Sequence, residues 1–257
     1  MEKYIAIVLA AGKGTRMNDG IESPIPKVMF PMNGKPIIYY TVENIKKSGV
    51  NNIALVVGYK KELIEEYLKD EAEYVVQEKQ LGTGHAVMTA KEQLIDKSEA
   101  VIVCYGDMPL VKPETIKKLI NIFENPPTGG KPTVAMISAI SENPFGYGRI
   151  IRDLNDEVIG IKEHKDCNEG ELKIKEWNPG FYIFNAEWLW LNINKLNSNN
   201  AQKEYYLTDL IKLARDQDKR IIAIPVSEES EALGINTREH LKEAEAILES
   251  RIKNQES

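Results

Sequence analysis

Tyr4-Ile5-Ala6-Ile7-Val8-Leu9 is an unbroken apolar run that leads directly into a turn of small residues, Ala10-Ala11-Gly12-Lys13-Gly14. A strand that is apolar on both faces must be covered on both, which confines it to the interior of a parallel sheet flanked by helices. Asn52–Val57, Glu73–Gln77 and Ala100–Tyr105 read as further strands. Between and after them, Pro36–Lys47, Lys60–Leu68, Gly84–Leu94 and Pro113–Phe123 have helical spacing, the last with Pro in a first turn where its missing N–H costs little. This βαβα rhythm predicts an α/β fold built on an open, mostly parallel sheet with helices on both faces. Such sheets bind ligands outside the carboxyl ends of their strands. The chemistry should therefore follow Leu9, Val76 and Cys104.

The second half is less regular. Thr133–Ala139, Gly180–Phe184 and Ile221–Pro225 read as strands, and Arg149–Glu163 as strands broken by a turn at Asn155-Asp156, with another turn at Gly146-Tyr147-Gly148. Thr208–Gln217 and Thr237–Lys253 read as helices, the latter behind a capping sequence, Asn236-Thr237-Arg238-Glu239. Neither repeats nor a linker stand out, the nearest being the Pro/Gly loop Glu124–Pro132. The expectation is one domain over 1–257, with the second half forming a substrate-binding lobe on the same sheet.

With 42% hydrophobic and 28% charged residues, a chain of 257 can bury a substantial core, and disorder is excluded. The apolar runs are far shorter than the ~20 residues of a bilayer span, and the N-terminus lacks a signal-peptide layout. The two cysteines, Cys104 and Cys167, form no Cys-x-x-Cys pair and no disulfide framework. A cytoplasmic protein without a membrane partner is expected. The formal net charge of −6 argues against nucleic acid as a partner. A polyanionic ligand would have to be held by local cations and a metal ion against that field.

Leu9-Ala10-Ala11-Gly12-Lys13-Gly14-Thr15-Arg16-Met17 offers such a place. Small residues let backbone N–H groups approach phosphate oxygens as an anion-binding nest. The segment is neither Gly-x-Gly-x-x-Gly nor a P-loop. Two glycines alone would describe an ordinary strand-to-helix turn; Lys13, Arg16 and the later Lys27 of Ile25-Pro26-Lys27-Val28 turn the reading towards phosphate.

Gln77-Glu78-Lys79-Gln80-Leu81-Gly82-Thr83-Gly84-His85-Ala86 leaves the strand Glu73–Gln77. A Gln amide both donates and accepts, so it suits the Watson–Crick edge of a pyrimidine. Gly82 and Gly84 would let a flat ring lie on backbone, although a Gly-rich helix start explains them equally well. His85 reads as structural rather than catalytic, because no second histidine stands at ligand spacing. Tyr105-Gly106-Asp107 follows a central strand, where a carboxylate is well placed for Mg²⁺ together with substrate phosphates. Taken alone, Asp107 is a turn residue and Asn236 a helix cap, and spacing does not show that the two approach each other.

In order along the chain, Leu9–Met17 with Pro26-Lys27-Val28, Gln77 with Gln80–Ala86, Tyr105-Gly106-Asp107, Gly146–Ile150, Glu163–Asp166, Asn178-x-Gly180, Glu204–Asp209 and Gly234-Ile235-Asn236 resemble one family. It is the uridylyltransferase domain of bacterial bifunctional N-acetylglucosamine-1-phosphate uridylyltransferase/glucosamine-1-phosphate acetyltransferase, matched from Leu9 to about Leu241. The ordered set is specific; no single motif is. The resemblance implies a Rossmann-like nucleotide-diphospho-sugar transferase fold with a nucleotide-binding half at about 1–125 and a sugar-binding half at about 130–257. It further implies nucleotide contacts from Leu9, Ala10, Ala11, Gly12, Gly14, Gln77, Gly82, Thr83, Tyr105 and Gly106, and sugar contacts from Gly148, Glu163, Asn178, Tyr206 and Thr208. Asp107 and Asn236 would hold Mg²⁺, and Arg16 and Lys27 would neutralise the triphosphate in catalysis.

The implied partners are a nucleoside triphosphate, UTP first, and a sugar 1-phosphate, with pyrophosphate released. The loop Asn18–Pro24 is longer than the family's, Pro179 replaces a usual Thr, and no hexapeptide β-helix repeats follow Lys253. The family's acetyltransferase activity is therefore expected to be absent. Transfer of CMP, GMP or dTMP to another phosphorylated acceptor stays open, since a flipped Gln77 amide presents either pattern. A catalytically silent nucleotide-sugar sensor also stays open, though it is disfavoured by Asp107 and Lys27. The sequence leaves the oligomeric state open.

Overall fold

The computed structural model describes residues 1–14, 17 and 23–256. The first half runs β1 (Glu2–Leu9), a small hairpin of β2 (Pro31–Met32) and β3 (Lys35–Pro36), α1 (Ile37–Lys47), β4 (Ile53–Val57), α2 (Lys61–Leu68), β5 (Glu73–Val76), α3 (Thr83–Leu94), β6 (Ser98–Tyr105) and α4 (Pro113–Glu124). The second half adds β7 (Val134–Ile140), β8 (Gly148–Arg152), β9 (Val158–Lys162), β10 (Glu176–Asn178), β11 (Phe181–Asn185), α5 (Ala186–Asn192), α6 (Asp209–Asp216), β12 (Ile221–Pro225) and α7 (Arg238–Glu256).

The main sheet has the order β5-β4-β1-β6-β11-β7-β10-β8-β9, with β12 beside β7. Strands β5, β4, β1 and β6 are parallel, as the sequence rhythm predicts. β11 then runs antiparallel between β6 and β7, so the sheet is mixed. Successive β1 residues point to opposite faces, as a strand's period of two requires. Ile5 and Ile7 pack with α3, α5 and α6, whereas Ala6 and Val8 pack with α1, α2 and α4. Both layers are apolar, and burial of this surface on each side of the sheet is the main stabilising term.

Register brings the functional segments to one edge. Leu9 is level with Val56 on one side and Tyr105 on the other, and Val57 with Val76. The antiparallel entry of β11, with Phe181 opposite Cys104, puts residues 178–180 at the same end as Tyr105. A third cluster of Met17, Met32, Ile37, Leu110, Ile235 and Ala244 seats α7 over this edge. No helix among the described residues is long and apolar enough to cross a membrane.

Candidate active site

The turn after β6 is fixed from below. Gly106 N–H donates to the Leu9 carbonyl at 2.9 Å, and the Thr41 hydroxyl of α1 donates to the Gly106 carbonyl at 3.1 Å. A Cβ at Gly106 would meet Ile38 Cδ1 at 2.8 Å and the Leu9 carbonyl at 3.3 Å, so a larger residue would have to displace the Ile38 side chain. Asp107 is thereby held at the carboxyl edge, 7% exposed. Its carboxylate forms an ion pair with the Lys27 ammonium, which also donates to Asn236 Oδ1 at 3.0 Å. Lys27 opens a single 3-10 turn behind Pro26, and a side chain at Gly14, whose φ is +66°, would collide with it. Loop, lysine, carboxylate and amide thus meet at one point.

Asn236 comes from 209 positions beyond Lys27 and is carried there by a built segment. Ile235 N–H donates to the Asp107 carbonyl at 2.9 Å, and Arg238 Nε donates to the Met17 carbonyl at 3.1 Å. Upstream, Glu231 is 1% exposed and accepts from the Thr115 hydroxyl and from Lys112 N–H at the start of α4. The cap of α7 is Thr237, whose hydroxyl accepts from His240 N–H at 3.3 Å, rather than Asn236. The Asn236 oxygen is directed to the Lys27 cation.

Asp107 and Asn236 therefore present two hard oxygens converging on one cation. That donor set fits Mg²⁺, which takes one or two protein oxygens and completes its shell with phosphates and water. Among the described residues, no group of three or more His, Cys, Asp or Glu forms an all-protein metal cage.

On the β5 side, Gln77 is 3% exposed, and its Nε2 donates both to the Gly82 carbonyl at 3.2 Å and to His85 Nδ1 at 2.9 Å. A rotated amide would set Oε1 against the Gly82 carbonyl, so the nitrogen is committed and Oε1 is the group left to offer. Gly82 has φ +112°, and a Cβ there would lie 2.6 Å from the Tyr205 carbonyl. The loop is stitched to the 205–207 segment by Tyr205 N–H to Leu81 O and Gly84 N–H to Tyr205 O, each 2.8 Å. Leu207 N–H completes the seam by donating to the Thr83 hydroxyl at 3.0 Å.

The predicted sugar residues also gather. Gly148 and Asn178 are partners across β8 and β10. Asn178 Nδ2 donates to the Tyr182 hydroxyl at 2.6 Å, while its Oδ1 accepts from Gly180 N–H at 3.1 Å. Thr208 donates to Glu163 Oε1 at 2.9 Å, and a Cβ at Gly148 would stand 3.6 Å from Glu163 Oε2. Burial pushes the Glu163 carboxyl above its ordinary range, opposed by the Thr208 hydroxyl and reinforced by the Asp209, Asp166 and Glu204 carboxylates. Tyr206 donates to Asp166 at 3.2 Å, and burial raises its hydroxyl to about 12. Between the two residue groups, the Tyr105 ring lies against Gly180 with its hydroxyl near Thr83 and Tyr182.

Leu9, Ala10, Ala11 and Gly12 stand at the sheet edge between these groups, with Ala10 N–H on the Val56 carbonyl at 2.8 Å and open space beside Gly12. Arg16 lies outside the described residues, as does most of the loop Asn18–Pro24. Of that loop, the Ser23 carbonyl accepts from Tyr59 at 2.6 Å and the Pro24 carbonyl from Lys60 at 2.8 Å. Glu231, Thr115 and Tyr182 were not predicted. Only Glu231 left a trace in the sequence, as an acid just ahead of Gly234-Ile235-Asn236.

Residues 6–164 match the MobA-like NTP transferase domain. The chain is similar to the bifunctional protein GlmU of Clostridium botulinum (strain Loch Maree / Type A3), 44% identical over 96% of this chain and 52% of the relative. It is 46% identical to the bifunctional protein GlmU of Clostridium novyi (strain NT) over the same shares. The chain thus spans about half the length of the curated relatives it matches. A solved UDP-glucose pyrophosphorylase complexed with UDP-glucose superposes with a TM-score of 0.76 at 24% identity, over 98% of this chain and 100% of that one. An apo-UDP-glucose pyrophosphorylase gives 0.77 at 22%, over 98% and 99%. At those identities the likeness is one of fold, and it is the family match over residues 6–164 that places the chain: it belongs to the MobA-like NTP transferase domain family.

Proposed function

We propose that the chain is a Mg²⁺-dependent sugar-1-phosphate nucleotidyltransferase that converts UTP and N-acetylglucosamine 1-phosphate into UDP-N-acetylglucosamine and pyrophosphate. The observation that carries the reading is the meeting of Lys27, Asp107 and Asn236 beside the glycine turn. The ordered motif set and the GlmU relatives support the amino-sugar substrate. For the base, Gln77 offers an acceptor, which matches the imino N–H of uracil and not the bare ring nitrogen of cytosine.

In this reading a sugar-phosphate oxygen attacks the α-phosphorus, the bond to the bridging oxygen of the β-phosphate breaks, and pyrophosphate leaves. A phosphate monoester has its second pKa near ~6, so the nucleophile is already ionised at neutral pH and needs no general base. The obstacle is repulsion between anions, roughly 4 kcal/mol per unit charge pair at 4 Å in an effective dielectric of about 20. Lys27 and the N–H groups of the glycine turn offset it and hold the phosphates in line, joined by Arg16 as the resemblance implies. Asp107 and Asn236 would hold Mg²⁺, which when bound supplies further charge neutralisation. Thr208 and Glu163 face the sugar, where a carboxyl raised by burial suits hydroxyl and amide donors.

The test is pyrophosphate release from UTP, CTP, GTP or dTTP, each paired with N-acetylglucosamine 1-phosphate or glucose 1-phosphate, with and without Mg²⁺. Fastest turnover with UTP, the amino sugar and Mg²⁺ is expected. Faster turnover with another pair would move the substrate assignment. Binding without pyrophosphate release from any pair would leave a sensor.

A further inference from the structure

We propose that His85 is a positioning residue that sets which base is accepted, by holding the Gln77 amide with its carbonyl oxygen presented. The inference rests on the base reading given above. Gln77 Nε2 has two hydrogens, one on the Gly82 carbonyl at 3.2 Å and one on His85 Nδ1 at 2.9 Å. Turning the amide over would oppose Oε1 to the carbonyl and to the imidazole lone pair together. The Gly82 carbonyl is held in place, because it also accepts from Ala86 N–H at 3.1 Å and its neighbours Leu81 and Gly84 are both bonded to the Tyr205 backbone. Gln77 itself is 3% exposed, so water does not readily replace a lost partner.

Of the two contacts, only the histidine one can change sign. Neutral His85 with its proton on Nε2 accepts at Nδ1; protonated His85 donates from both nitrogens. A donor at Nδ1 faces the Gln77 amide hydrogens and favours the turned amide. The turned amide offers N–H to the base, the complement of cytosine's ring nitrogen and the wrong match for uracil. Burial pushes the His85 pKa below its ordinary value and so keeps the acceptor form. The titratable group packed against the ring is Tyr205, with centroids 6.2 Å apart, and burial is the one cause of the shift.

The experiment measures kcat and KM for UTP and CTP in the wild type, H85L, H85N and Q77A, from about pH 5 to 8. In H85L the UTP:CTP ratio of kcat/KM should narrow by about tenfold, mostly through KM for UTP. H85N, whose amide oxygen can stand near the place of Nδ1, should keep the ratio within about threefold of wild type. The wild-type ratio should fall on the acid side of the ordinary histidine range, ~6.5, and the H85N ratio should not. A folded H85L with the wild-type ratio, while Q77A narrows it, would overturn the role of His85 alone. An unchanged ratio in Q77A as well would overturn the base reading beneath it. Should H85L fail to fold, the two pH profiles decide, and parallel profiles for wild type and H85N would refute the inference.

Discussion

Gly180→Ala tests the close approach of the chain to the Tyr105 ring between the two residue groups. Gly180 has φ +96°, and a Cβ built there lies 2.8 Å from Tyr105 Cζ and nearer still to Cδ2 and Cε2. Two penalties follow. An L-residue in this backbone region costs ~1–2 kcal/mol, and forcing a methyl into a packed ring costs ~1–3 kcal/mol. The ring has little room to retreat, since it packs against the core and its hydroxyl lies near Thr83 and Tyr182. The expected loss is therefore about 2–5 kcal/mol, or a fall of about 4–20 °C in Tm at ~2–4 °C per kcal/mol for a chain of this size. Urea unfolding of the wild type, Gly180→Ala, Tyr105→Ala and the double variant separates the penalties. Without the ring only the backbone penalty should persist, so the cycle should return a coupling of ~1–3 kcal/mol. An equal cost of Gly180→Ala in both backgrounds would refute the steric argument, and a cost below ~0.5 kcal/mol would refute both.

Other consequences can be read directly. Asp107→Ala should lower turnover by ~10²–10³-fold or more with the circular dichroism spectrum unchanged; near-wild-type pyrophosphate release would exclude Asp107 from the reaction. Glu231→Ala should destabilise by ~1–3 kcal/mol, because Thr115 and the Lys112 N–H lose their buried acceptor, and should raise the Mg²⁺ concentration for half-maximal rate. An unchanged Mg²⁺ response would detach this anchor from Asn236. For Glu163, folding favours the protonated form, so wild-type stability should decline as pH rises from the ordinary 4.5 through the raised value. Glu163→Gln should remove that part of the decline in urea unfolding measured across the same window, and an identical slope would place the shift elsewhere.

The parallel half of the fold is legible because its strands are covered on both faces. Asn52–Val57 and Ala100–Tyr105 fall within two residues of β4 and β6 at each end. The second half hides shorter pieces. α5, Ala186–Asn192, escapes because Trp188-Leu189-Trp190-Leu191 has no helical period; its signal was Asn185, whose side chain accepts from Trp188 N–H at 2.9 Å. β10 has three residues, too few for any period, and exists by pairing with β7 and β8. In the site, residue types were readable but their meeting was not. Asn236 looks like a cap, and it is long-range contacts such as the Glu231 anchor and the Ile235–Asp107 bond, with the bond from its own Nδ2 to the Gly234 carbonyl, that bring its oxygen to Lys27. The same holds for Gln77, whose amide direction depends on a carbonyl five residues away.

The bond from Ile235 N–H to the Asp107 carbonyl has a bearing on biosynthesis. While a ribosome is still translating α6, the nascent polypeptide already owns its glycine turn, Lys27 and Asp107, but has nothing to lay across them. That bond, and the contact of Asn236 with Lys27, can close only after residues 235 and 236 have left the exit tunnel, so this corner of the sheet edge is the last of its parts to be assembled.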